Sequence, residues 1–460
     1  MKENRKELRE LPKPRVGMFV VSDKYLNALN DFAMRVARNI VEHLESRGIT
    51  VLFDETVLTT QRVAEKAALS MVGQDLDTYI IYLPTWSEAP TAVAIVRELE
   101  RTPFLLWGFN MWEDEQGRRD TTGSVVGELV LKGTFERMGY EFKFVAGFPE
   151  DEPTLSGAVD YILAARARKL LKRVRFGHLG YTGIGMYPGT FDHLLMRSII
   201  GPEIVPIPEC EFQDAVEAVN ETEARKLLAY IRDNLDVTKV SNQETLTRTA
   251  RIYLAARKVI EDYELDGLNM RCHYDFSKRL RCTCCFPLSL LSDERIVTGC
   301  EGDIVTSISM FIFDLLSDSV VTYGDILDFD RERNLTMFSA CGLAPFRLAA
   351  AEKPALVELE YDAWGFAGIL SSNVLKPGAL TFGRLFEKRG DYGFVYGTGT
   401  AVETGLRGTM FPAVNVILDG TVDELIKHAP TQHFALVYGN MRRRLEDLLR
   451  MLSIDGIPVG

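Results

Sequence analysis

Residues 299–325 read GCEGDIVTSISMFIFDLLSDSVVTYGD, and this stretch organises the rest of the chain. Ile304 to Ser317 carries apolar residues at helical spacing, whereas Val320-Val-Thr-Tyr323 is β-branched and aromatic, the composition of a strand. About 14 helical residues advance roughly 21 Å. A strand of about six residues running back beside them covers roughly 20 Å. The excursion therefore returns Asp325 to the level of Glu301, with both carboxylates at one edge of a sheet, where open α/β folds bind ligands. A third residue, His433 in Thr431-Gln-His-Phe434, opens the last strand-to-helix unit. Two carboxylates and an imidazole form a hard, oxygen-rich set suited to Mn²⁺ or Mg²⁺. The plainer alternative is an acidic residue at a helix N-terminus (Glu301) and a turn residue after a strand (Asp325).

Upstream, strands and helices alternate. Arg15–Val21, Ile49–Phe53, Thr78–Leu83 and Pro103–Trp107 read as strands, and Leu26–Arg47, Thr60–Val72 and Pro90–Glu100 as helices, a pattern of βαβ units on a mainly parallel sheet. The pattern restarts at Val174–Leu179 and continues through Ile204–Ile207, the helices Glu223–Asn234 and Gln243–Glu264, Gly267–Cys272, and the segment from Glu301 to Asp325. Beyond about residue 330 short strands alternate with Gly- and Pro-containing turns, the grammar of a small antiparallel barrel or sandwich, closed by one helix at Arg442–Leu452. The expected architecture is α/β: two doubly wound α/β domains (1–168 and 169–330, the second carrying the ligand set) followed by a mostly antiparallel β domain (331–460).

Bulk properties exclude several classes. A net charge of −12 argues against a nucleic-acid footprint. No stretch approaches the roughly 20 apolar residues of a membrane span. The charged start MKENRKELRELPKP is no signal peptide. Seven cysteines without a regular framework suit reduced thiols in a cytoplasm. Cys272-His273 and Cys282-Thr-Cys284-Cys285 lack the paired spacing of structural zinc and read as buried thiols. The loop Gly180 to Gly189 fits no phosphate-binding fingerprint and reads as a turn or pocket wall. Arg271, Lys278, Arg279 and Arg281 make a basic patch that would favour an anionic substrate if it borders the pocket. Tyr82, Trp86 and Trp364 are candidates for stacking on a sugar face, with core packing as the alternative. His43 and His193 fall in helices as surface or packing residues.

On these residues the chain resembles the L-fucose isomerase family, and more distantly the L-arabinose isomerases. Gly299-Cys-Glu-Gly-Asp303 matches that family's first metal-ligand loop, Asp325 lies 24 positions after Glu301 as in the fucose enzymes, and Gln432-His-Phe-Ala-Leu-Val-Tyr-Gly439 with the closing Ile457-Pro-Val459 resembles its C-terminus. The resemblance implies a cytoplasmic aldose–ketose isomerase working through a cis-enediol. Glu301, Asp325 and His433 would hold Mn²⁺ (or another divalent cation such as Mg²⁺ or Co²⁺), and Glu301 and Asp325 would shuttle the proton between C1 and C2. It also implies a homo-oligomer, often a hexamer, with an aromatic from a neighbouring subunit falling at Tyr82 or Trp86, and Arg271 and Gln432 near the sugar. Neither membrane nor nucleic acid is an expected partner. There are departures. Ser339-Ala-Cys-Gly342, which lacks a histidine, stands where many relatives have Trp-His-Cys-Gly and speaks against arabinose-type coordination. Arg271-Cys-His-Tyr-Asp-Phe276 stands where they show Gln-Cys-Trp-Pro-Glu-Phe, in a segment the resemblance places beside the substrate, which implies a changed specificity. One alternative keeps the chemistry on a sulfonated or phosphorylated sugar. A second is a non-catalytic sugar-binding protein on the same scaffold.

Overall fold

A computed structural model of the 460-residue chain describes residues 10–24, 30–113, 116–182, 185–273, 275–361, 366–403 and 411–460, apart from the side chains at 30, 275, 276, 360, 361 and 366. Trp364 lies outside the described residues. The chain divides into two compact units, one formed by Pro12–Lys169 with Arg443–Ser453, the other by Leu170–Arg442 with Ile454–Gly460.

In the first unit, β1 (Arg15–Val21), β2 (Thr50–Leu58), β3 (Thr78–Tyr82), β4 (Phe104–Gly108) and β5 (Phe142–Ala146) form an all-parallel sheet in the order β2-β1-β3-β4-β5. Its three inner strands, β1, β3 and β4, are almost wholly buried and nearly continuous apolar runs, as in parallel sheets covered on both faces. Val16, Met18 and Val20 enter one core cluster while Phe19 and Val21 enter the other. The terminal helix Arg442–Leu452, expected to close the barrel, contributes its residues from Arg443 onward to this unit instead. Asp447, 1% exposed, lies 3.1 Å from Lys143 Nζ, and Arg444 Nε donates to Asp160 at 2.7 Å. One apolar face and these two ion pairs, neither readable from the helix alone, hold it there.

The second unit contains a parallel sheet of β6 (Arg175–Leu179), β7 (Glu203–Ile207), β8 (Gly267–Met270) and β9 (Val297–Cys300) in the order β9-β8-β6-β7. It also contains the seven strands β10 (Val321–Asp330), β11 (Leu335–Ser339), β12 (Gly378–Lys388), β13 (Asp391–Val402), β14 (Ala413–Leu418), β15 (His433–Tyr438) and β16 (Asp455–Val459). These run β12-β15-β10-β11-β14-β13-β16, and an added β12–β13 pairing closes six of them into an antiparallel barrel with β16 appended in parallel. A smaller sheet joins Asp236–Lys239, Ala355–Tyr361 and Phe366–Ser371.

The helix Ile304–Ser317 joins β9 to β10, packs against β9, β10, β12 and β15, and is buried along its length to Leu316. Being apolar on every side suits a helix with no solvent face. The strand after it differs from the sequence expectation. It belongs to the barrel rather than to the parallel sheet, and it runs through Gly324 and Asp325 to Asp330. Asp325, whose plainer reading was a turn residue, thus lies within the strand, next to Gly324. Position 324 is a glycine because a Cβ there would sit 2.9 Å from Ser339 N of β11, a close backbone approach within a strand. No helix among the described residues is long and apolar enough to cross a membrane.

Candidate metal centre

Glu301 directly follows β9, at the C-terminal edge of the parallel sheet. Its backbone is left-handed (φ 61°), a sparsely populated conformation for a non-glycine residue. Asn269 of β8 holds it there. The Asn269 amide nitrogen donates to the carbonyls of Cys300 and Asp303 (both 3.2 Å), while its oxygen accepts from Gly302 N at 3.0 Å. Gly299 clears the way, since a Cβ there would overlap the Ser307 hydroxyl.

Asp303 caps the helix Ile304–Ser317, accepting from Thr306 N at 2.9 Å. It also accepts from Arg384 Nη1 (2.8 Å), Thr306 Oγ1 (2.9 Å) and His433 Nδ1 (2.8 Å). Arg384, from β12, is itself fully buried and also donates to the Pro188 carbonyl at 2.9 Å. Burial opposes ionisation of Asp303, yet Arg384, the His433 ring and the Thr306 amide hold its carboxyl well below the usual carboxylate range.

His433 and Asp325 are directly opposed across β15 and β10. With Nδ1 given to Asp303, the ring presents Nε2 to Asp325 Oδ1 at 3.2 Å and Glu301 Oε2 at 3.5 Å. Neither approach has hydrogen-bond geometry, so Nε2 is a buried nitrogen without a hydrogen-bond partner. Burial works against charge on this ring, but hydrogen bonding to Asp303 and the Asp325 and Glu301 carboxylates hold its pKa well above the ordinary imidazole value. A second ring proton and a divalent cation thus compete for one place. An orphaned nitrogen facing two carboxylate oxygens fits a cation of the Mn²⁺ or Mg²⁺ type, and the carboxylate-anchored tautomer is the usual support of a histidine ligand. Glu301 is pushed up to about 7 by burial and by Cys341, against the pull of His433.

Other anticipated residues are placed as follows. Arg271 continues β8, its amide bonded to the Leu179 carbonyl at 3.0 Å, at the same sheet edge as Glu301. Gln432 precedes His433 and donates to Met186 Sδ at 2.9 Å. Lys278, Arg279 and Arg281 are exposed. Tyr82 and Trp86 belong to the other compact unit. Tyr82 is enclosed in its core, while Trp86 is 39% exposed. Sequence reading missed Asp303 and Arg384 as supports of His433. Asp303 lay inside the quoted loop and could have been found by asking which side chain caps the helix. Arg384 interrupts an apolar run of β12, and only the folded barrel gives it partners.

A further group gathers around the other oxygen of Glu301. Cys341 Sγ lies 3.2 Å from Glu301 Oε1, and His273 Nε2 lies 3.9 Å from the same atom. Thiols of Cys285 and Cys300 hold the Cys341 pKa well below its ordinary value, burial opposing. Despite burial, His273 is raised to about 10 by Cys341, Cys272 and Glu301.

No protein-family model matches the chain. It is similar to the sulfoquinovose isomerase of Priestia megaterium (28% identity over 424 residues, 90% of this chain and 93% of that protein). It is similar also to those of Clostridium sp. (23%, covering 87% and 92%) and Alkalicoccus urumqiensis (22%, covering 78% and 80%). Among solved structures it aligns with a periplasmic solute-binding protein of an ABC transporter from Actinobacillus succinogenes 130z with bound D-allose, at 11% identity over 67% of this chain and 92% of that one. The TM-score of that alignment is 0.17, too low to bear on the fold.

Proposed function

We propose that this chain interconverts an aldose and its ketose by moving a proton between C1 and C2 through a cis-enediol, in the manner of the L-fucose isomerases, and that its substrate is a sulfonated sugar of the sulfoquinovose type. The aldose–ketose isomerase class follows from relatives of matching length, all named for such an isomerisation. The carrying observation for the site is the convergence of Glu301 Oε2 and Asp325 Oδ1 on the orphaned His433 Nε2. Of the two substrates weighed from sequence, the anionic one is favoured, because the curated relatives act on a sulfonated sugar by name and Arg271 stands at the edge of the sheet that carries Glu301. The non-catalytic binder has no such support.

Glu301, Asp325 and His433 would hold a divalent cation, Mn²⁺ by preference. When bound, that ion supplies a Lewis acid that polarises the carbonyl and steadies the developing oxyanion. The remaining chemistry belongs to the chain. Glu301, buried beside His433, is the carboxylate that takes the proton from one carbon and returns it to the other. Asp325, with its side chain 28% exposed, is the carboxylate open to the opposite carbon of the substrate. Asp303 and Arg384 keep the His433 ring in one tautomer and orientation. Arg271 offers a guanidinium to the sulfonate. A homo-oligomer completing the pocket with an aromatic from a neighbouring copy is part of the same proposal.

The test is a Mn²⁺-supplemented assay of sulfoquinovose against glucose, L-fucose and L-arabinose, scored by ketose formation and solvent deuterium uptake at C1 or C2. Sulfoquinovose turning over at least tenfold better than the neutral sugars, with deuterium incorporated, is the expected result. Turnover of L-fucose alone would overturn the substrate assignment, and no isomerisation of any sugar would overturn the activity.

A further inference from the structure

Glu301 offers its two oxygens to two different chemistries. Oε2 faces His433, with Asp325 beside it. Oε1 faces Cys341 at 3.2 Å and His273 at 3.9 Å, and one ligand atom from each of these three residues lies within 4.8 Å of the others. The three come from separate structural elements. His273 lies three residues past the end of β8, Glu301 directly follows the adjacent parallel strand β9, and Cys341 lies two residues beyond Ser339 of β11, which pairs with Asp325 of the neighbouring β10. A thiolate, an imidazole and a carboxylate oxygen, with one position left open, match the ligand set of a tetrahedral zinc-type ion, in which ligand-to-ligand separations are about 3.3–3.8 Å. The two observed contacts to Oε1 fall close to that range. Sulfur and imidazole select soft or borderline cations, whereas the Asp325 side is a hard, oxygen-rich site.

We propose that His273, Cys341 and Glu301 Oε1 form a second cation site that takes a thiophilic divalent ion, Zn²⁺ or Cd²⁺, on the face of the Glu301 carboxylate opposite His433. Glu301 bridges the two sites. Its occupation from the thiol side withdraws the carboxylate from proton transfer, so thiophilic ions inhibit isomerisation; this consequence, unlike the site itself, rests on the isomerase reading above. The buried thiols of Cys285 and Cys300 interact with Cys341, and with Cys272 and Cys284 they stand outside the proposed ligand set.

The experiment is optical and independent of turnover. Metal-free full-length protein carrying Cys210→Ser, which removes the exposed thiol, is titrated with Cd²⁺, and the sulfur-to-cadmium charge-transfer absorption is followed. One equivalent is expected to give a saturable band. Cys341→Ser should abolish it and His273→Ala should weaken binding at least tenfold, while Asp325→Asn leaves it unchanged. Circular dichroism of each variant establishes that it is folded. Should Cys341→Ser not fold, His273→Ala and Asp325→Asn carry the test between them. A band that persists in Cys341→Ser, disappears in Asp325→Asn, is indifferent to His273→Ala or never forms overturns the proposal. Zn²⁺ inhibition relieved at least tenfold by Cys341→Ser would extend the site to regulation of the isomerase. Inhibition equally strong in that variant would remove the regulatory consequence.

Discussion

The two ends of the helix Ile304–Ser317 carry the same buried chemical pair and put it to different use. At the N-terminal end Asp303 meets Arg384, with side chains 4% and 1% exposed. In the C-terminal turn Asp314 meets Arg295, at 1% and 7%. Both are arginine–aspartate pairs taken out of water, costly to assemble and costly to break. Arg295 places further donors locally, on the Asp314 carbonyl and on Asp318 at the helix C-cap, and faces no imidazole among the described residues. Asp303 has a further client, His433 Nδ1, and through that ring the pair orients an unsatisfied nitrogen toward two carboxylates. A buried ion pair alone therefore says little about function. What distinguishes the ends is where the last polar atom of each network points.

The sharpest way to break this comparison is to neutralise each aspartate. Asp303→Asn and Asp314→Asn should both destabilise strongly, by about 3–5 kcal/mol, because each strands a buried guanidinium. Only Asp303→Asn should also lower Mn²⁺ affinity, by about 10–100-fold, as loss of a partner behind a histidine ligand does. Calorimetric titration with Mn²⁺ below the melting range of both variants checks this. Equal affinities in the two would erase the distinction.

A smaller effect concerns the price of holding Glu301. Its folded pKa, about 7, lies above the ordinary value of about 4.3, so the folded state binds more protons and stability falls as pH rises between those values. Without added metal, Glu301→Gln should thus be more stable than the parent at pH 8, by on the order of 2–3 kcal/mol, and no different near pH 4. Melting curves at the two pH values decide it, and a variant less stable at pH 8 would refute the assignment. Asp303 runs the other way. Its pKa is depressed, so its contribution is intact above about pH 4 and drains away as pH falls through the lower folded value.

The smallest effect is expected at the C-terminal end of the helix. Asp318 is 57% exposed on its side chain, and Asp318→Ala should cost no more than about 1 kcal/mol by denaturant melts, with Mn²⁺ binding untouched.

Much of this was legible in the chain. The helix Ile304–Ser317 has the bounds its apolar spacing predicted, and the alternation of strands and helices upstream gave the parallel sheets. Local pattern could not supply pairing across long separations. Asp325 opposes His433 only because β10 leaves the parallel sheet for the barrel, a choice made by partners far along the sequence. The same limit hid Arg384, whose bond to Asp303 spans 81 residues, and the affiliation of the last helix with the first unit. Cys341 entered the sequence reading only as part of Ser339-Ala-Cys-Gly342, since nothing in its neighbours reveals that it faces Glu301.

Crystals grown with Mn²⁺ and measured at its absorption edge address the central claim most directly. An anomalous peak at bonding distance from Glu301 Oε2, Asp325 and His433 Nε2 is the predicted result. A peak beside Cys341 and His273 instead, or a cation bound with His433 left out of its ligands, would contradict the account.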